Sequence, residues 1–143
     1  MEFITTTIGN LNWWAIIVAT LATLPVGYVW YDMKIGFGKT WAKLNKLTID
    51  PSKASDGMAA IFASMLTATF ATAFLMACLM KATGVDGFAS ALVFGLLFGV
   101  VLRGGAHFVH NGFTQRPVRL TIIDVGHDLV SLTVIALIVG LWQ

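Results

Sequence analysis

Four stretches of nearly unbroken apolar sequence, at about 12–31, 58–80, 87–111 and 118–142, constrain this chain more than any other feature. About 20 apolar residues in a helix suffice to cross the hydrocarbon layer of a bilayer. Lipid offers the backbone no hydrogen-bonding partner, so stretches of this kind must close their own hydrogen bonds as helices. Of the 143 residues 57% are hydrophobic and 11% charged, a charged share less than half that of an ordinary soluble domain. The sequence predicts an all-α integral membrane bundle of four transmembrane helices, with residues 1–143 forming a single domain.

Local signals mark where the helices turn. Trp13 and Trp14 open the first span and Tyr28, Trp30 and Tyr31 close it, as expected of amphipathic rings at the two headgroup levels. Pro25 removes one ladder hydrogen bond and predicts a bend. Asp50-Pro51 has the chemistry of a helix start, with polar first turns projecting from the membrane. Gly84 and Gly87 predict a tight connection, Asn111-Gly112 a C-terminal stop, and Pro117 the opening of the last helix. No Lys or Arg precedes the first apolar run, so it lacks the basic region of a cleavable signal and is expected to remain in the mature protein. The one cysteine, Cys78, lies in an apolar run and reads as a core residue.

Basic residues set the expected orientation. Lys34, Lys39, Lys43, Lys46 and Lys53 follow the first span, Arg103, Arg116 and Arg119 lie at and beyond the end of the third, and only Lys81 lies opposite. Short loops rich in Lys and Arg stay in the cytoplasm, which predicts a multi-pass protein of the bacterial cytoplasmic (inner) membrane with both ends on the outer face. Between Gly38 and Leu47 the residues Trp41 and Leu44 fall on one side and Lys39, Lys43 and Lys46 largely on another, the pattern of a short interfacial helix. Lys39, Trp41 and Lys43 are its expected anchor, serving the positive-inside rule or docking anionic lipid or a partner.

The most unusual residues lie inside the third and fourth spans. Arg103, His107 and His110 are spaced to share one helix face, and Asp124, His127, Asp128 and Ser131 repeat the pattern on the neighbouring helix. An ionisable group in a span costs at least about 2.5–3.5 kcal/mol, so these groups must pair or line water. Arg103 is expected to pair with Asp124 or Asp128. The cluster then reads as an ion, proton or solute site, as a proton relay through histidine, or as a structural clasp. No cofactor is predicted; a divalent metal at the histidines and aspartates is an option that the nearby arginine opposes. Ser131 lies one turn from His127 and Asp128, a weak signal for a nucleophile.

Gly95 and Gly99, and Ala63, Thr67 and Ala71, are small residues at four-residue spacing that let helices approach within the bundle or between copies. The net charge of +2 and the lack of a basic stripe interleaved with aromatics speak against nucleic acid as a partner. The expected partners are the lipid bilayer and a second copy or another membrane subunit. The function expected is a small oligomeric transporter or channel-like protein for an ion, proton or small polar solute; the alternative is an accessory or assembly subunit of a larger membrane complex. An enzyme at the membrane surface ranks third, since no Gly-rich phosphate loop is present and Gly104-Gly105 falls within a helix.

Two stretches together carry a family resemblance. The first comprises Asn12-Trp13, Trp30-Tyr31-Asp32, Phe37-Gly38-Lys39-Thr40-Trp41 and Lys43-Leu44; the second runs from Asn111-Gly112-Phe113 through Arg116-Pro117, Leu120, Ile123-Asp124 and Gly126 to Leu129–Leu132. In these the chain resembles the bacterial membrane proteins grouped as domain of unknown function 1761. The resemblance implies a four-span helical membrane protein and supplies no substrate, cofactor or catalytic residue. One departure stands after Gly126, where the family pattern has an aromatic residue and then histidine and this chain has His127-Asp128.

Overall fold

The computed structural model describes residues 2–47 and 57–143, so the helix start expected at Asp50-Pro51 and the position of Lys53 lie outside the described residues. All regular structure among the described residues is helical. A short α1 (Glu2–Gly9), unforeseen in the sequence, precedes α2 (Trp13–Trp30), α3 (Gly38–Leu44) and α4 (Met58–Thr83). Next comes a single rod made of α5 (Gly87–Leu97), a π-helical segment (Phe98–Gly104) and α6 (Gly105–Phe113), and α7 (Val118–Leu141) completes the bundle. Four helices, Trp13–Trp30, Met58–Thr83, Gly87–Phe113 and Val118–Leu141, are long and apolar enough to cross a membrane.

Side-chain and backbone caps explain the ends. Asn12 accepts from the amides of Trp14 and Ala15 at 3.1 and 3.2 Å, which satisfies two of the free donors at the start of α2. Its amide nitrogen donates to the Trp142 carbonyl at 2.9 Å, fastening the start of α2 to the end of α7. α2 continues through Pro25 to Trp30. At the end of α4, Gly84 takes φ +68° and Val85 N–H bonds back to the Met80 carbonyl at 2.9 Å. The third span runs past the expected stop at Asn111 to Phe113. It ends with Gln115 at φ +55° and the amides of Arg116 and Gln115 bonded to the carbonyls of Asn111 and Gly112. Gln115 thus takes the left-handed position usually given to glycine.

α7 is the central element and packs against α2, α3, α4, α5, the π-helical segment and α6. The core is built from Ile16 and Ala19 of α2, Met76 and Met80 of α4, Ala91 of α5 and Ile135 and Ala136 of α7, all essentially inaccessible. Small residues set the helix spacing: a Cβ on Gly95 would lie 2.7 Å from Thr133 Cα, and one on Gly99 2.9 Å from Leu129 Cα. The Gly95/Gly99 pair is therefore used inside the chain, against α7, whereas Ala63, Thr67 and Ala71 face outward.

The π-helical segment has a geometric purpose. At about 100° per residue, a straight α-helix would place Gly95 and Asn111 about 160° apart, on nearly opposite sides of the rod. A π-bulge inserts one extra residue and turns the remainder of the rod back by about 100°. Gly95 and Gly99 at one end, and His107 and Asn111 at the other, can then all face α7.

At the α3 end of the bundle the chain reverses tightly after α2. The Asp32 carboxylate accepts from the amides of Lys34 and Ile35 at 2.7 and 2.9 Å, and the Ile35 and Lys34 N–H groups hold its carboxyl below the usual carboxylate range. Phe37 N–H bonds to the Trp30 carbonyl at 2.7 Å, folding the loop back onto α2. Arg116 Nη1 donates to Asn45 Oδ1 at 2.9 Å, so the α6–α7 turn lies beside α3. Only the second half of α4 enters the core, through Ala73, Met76, Ala77 and Met80. Its first half is largely exposed, and a cavity of about 800 Å³ opens there among α2, α4, Arg103 and α7.

Candidate functional site: a charged network on the central helix

One face of α7 carries the polar chemistry. Asp128 sits ten residues into α7 and Arg103 ten residues before the end of α6, each about 15 Å from its helix end at about 1.5 Å per residue. That depth is near the middle of a hydrocarbon layer about 30 Å thick. Asp128 Oδ2 accepts from Arg103 Nε at 2.7 Å and pairs with His107 Nε2 at 3.0 Å. Its other oxygen, Oδ1, meets His127 Nδ1 at 3.2 Å. His127 Nε2 lies 3.4 Å from Ser131 Oγ. The chain of contacts closes with both rings neutral if His107 carries its proton on Nε2 and His127 on Nδ1, Ser131 then donating to the free ring nitrogen. Asp128 is thus ringed by three donors, as a carboxylate at this depth requires.

Of the two partners expected for Arg103, the structure selects Asp128. Asp124 is turned elsewhere: its Oδ1 accepts from Trp41 Nε1 at 2.9 Å and from the Tyr31 hydroxyl at 3.3 Å. The indole of Trp41 accordingly points into the bundle and latches α3 onto α7, while Lys39 and Lys43 stay exposed. His110 is also exposed, and no hydrogen bond or ion pair joins its ring to the network. The face count that grouped it with Arg103 and His107 fails because Asn111, one residue on, occupies the position facing α7. Asn111 is buried and donates to Thr121 Oγ1 at 3.0 Å.

Sequence reasoning missed that buried amide and also the role of Trp30 and Tyr31, read as headgroup markers. Trp30 Nε1 donates to the Ile123 carbonyl at 3.0 Å, and its ring lies against Gly126, where a Cβ would come within 2.7 Å of it. Tyr31 packs on His127 with ring centres 5.0 Å apart. The glycine two residues after Asp124 was the available signal for a ring lying across α7.

Among the described residues no group of three or more His, Cys, Asp or Glu side chains is arranged to hold a metal ion. The guanidinium on Asp128 Oδ2 takes the place a cation would need. Ser131, His127 and Asp128 are linked in sequence, yet all three sit mid-helix, where backbone amides are spent on the helix ladder and none is free to stabilise an oxyanion.

Fold and site together define a small four-span bundle in which ionisable groups of the third span and of the central helix α7 meet at Asp128. The chain belongs to the family described as "Protein of unknown function (DUF1761)", whose model matches residues 14–140. No curated protein and no solved structure matches it.

Proposed function

We propose that this chain is a small transport protein of the bacterial cytoplasmic membrane that works as a homo-oligomer and passes a proton or a small polar solute by way of the Asp128 network. The observation that carries this reading is the convergence of Arg103, His107 and His127 on one carboxylate at mid-span, beside a cavity that Arg103, His127 and Asp128 themselves line. Histidine changes charge near neutral pH, and ionisable groups within spans mark ion and proton paths more often than they serve packing. The outward-facing Ala63, Thr67 and Ala71 give a second copy a surface for close approach.

Proton flux into liposomes that trap a pH-sensitive dye tests the reading. The wild-type chain is expected to dissipate an imposed pH gradient, and Arg103→Leu combined with Asp128→Leu to abolish the flux. Removing both charges leaves neither orphaned, so the double variant keeps its fold better than either single one. Unchanged flux through a folded double variant would sink the proposal for protons.

One observation favours a second reading, an accessory subunit of a larger complex: Ile61, Phe62 and Met65 on the open half of α4 are exposed. A foreign subunit recovered in fixed stoichiometry after gentle solubilisation would decide for it.

A further inference from the structure

The cavity beside the network has the size and walls of a site for an apolar chain. Its volume of about 800 Å³ falls in the range of small-molecule pockets, and Leu24, Pro25, Phe62, Met65 and Ala68 give it apolar walls. At the polar end donors exceed acceptors. Both oxygens of Asp128 are engaged, and Arg103 gives that carboxylate only its Nε–H. The two terminal amino groups of Arg103 make no hydrogen bond with the described residues, and the side chain is 54% exposed. A guanidinium with open donors at mid-span is costly, and its planar fork matches the oxygens of a carboxylate or phosphate.

We infer that the cavity binds a single-chain amphiphile with an anionic head, the head oxygens meeting the terminal amino groups of Arg103 and the tail lying between α2 and the open half of α4. This occupant covers the guanidinium and fills the apolar walls at once. It goes beyond the transport proposal and does not depend on it, since a head group can be held whether or not anything crosses the membrane.

Native mass spectrometry of the whole chain in detergent, titrated with four probes, tests the inference. Palmitate and hexadecyl phosphate are expected to bind one per chain, and hexadecanol and acetate at least tenfold more weakly. Whichever anionic probe binds tighter identifies the source, a free fatty acid or a phosphate-headed lipid. Arg103→Gln is expected to weaken binding at least tenfold. Ala68→Trp, on an exposed stretch of α4, fills the cavity from its wall and is expected to abolish binding with the melting temperature unchanged, so the test survives a poorly folded Arg103 variant. Hexadecanol binding as tightly as palmitate, or full binding by Ala68→Trp, overturns the inference. Anionic amphiphile bound without proton flux counts against transport alone; flux without amphiphile counts against this site alone.

Discussion

Gly36 lies where the chain folds back on itself after α2, and a side chain has no room there. A Cβ at this position would run into the carbonyl oxygens of Val29 and Trp30, which are backbone atoms and cannot swing aside. Gly36→Ala is therefore expected to lower stability by about 1–3 kcal/mol, the usual cost of forcing atoms into a filled site. Gly112→Ala is the control, because nothing lies within 4 Å of its Cβ position and the residue is helical; it should be neutral or gain about 0.5–1 kcal/mol. Thermal melting of both variants in one detergent checks the pair, and equal melting points would show that the loop can shift away from the end of α2. The same scale separates what the sequence displayed from what it hid. Arg103 and Asp128 were legible because charges in a span need partners. The buried Asn111 was not, since an Asn-Gly pair near a helix end reads equally as a stop, and only the fold shows Thr121 waiting across the interface.

Among the elements, the π-helical segment decides which side chains of the third span meet α7. If it supplies one extra residue, then deleting the exposed Val101 within it should let the rod close into a regular α-helix with His107 and Asn111 still facing α7. Deleting the exposed Val109, in regular helix, should instead turn Asn111 about 100° away and leave the buried Thr121 hydroxyl without its partner, a loss of about 1–3 kcal/mol. Melting of the two deletion variants measures the difference, and equal damage from both would show that the segment does not set the register. Span existence was readable from hydropathy alone, because lipid makes that signal strong. The bulge was not: a count at 3.6 residues per turn assumes the regularity that Phe98–Gly104 breaks. His110 failed for another reason: within regular α6 both three-residue and four-residue steps from His107 are near neighbours, and the four-residue step to Asn111 is the one that faces α7. The pattern around Trp41 did predict α3 as a short helix, but nothing local to it showed that the indole would reach Asp124, 83 residues further along.

For the whole molecule, the question is which end faces which compartment. The structure gathers Lys34, Lys39, Lys43 and Lys46 at the α3 end, and the Arg116–Asn45 hydrogen bond brings Arg116 and, with it, Arg119 to the same end. At the other end the Asn12–Trp142 and Gln143–Val85 hydrogen bonds hold together the start of α2, the end of α7 and the α4–α5 turn, with Lys81 in the last turn of α4. Lys and Arg in short loops are retained on the cytoplasmic side, while Asp and Glu count for little. The α3 end is therefore expected in the cytoplasm. Lys43→Cys and Gln143→Cys, each introduced with Cys78→Ala so that one thiol remains, report it with a membrane-impermeant maleimide. Gln143→Cys should label in intact cells and Lys43→Cys only after the membrane is opened; the reverse would invert the bundle. The orientation bears on the network directly, because the latch of Trp41 and Tyr31 on Asp124 closes the α3 end of the α7 face that carries His127 and Asp128. With that end inside, the Trp41 and Tyr31 rings on Asp124 lie between the Asp128 network and the cytoplasmic end of α7.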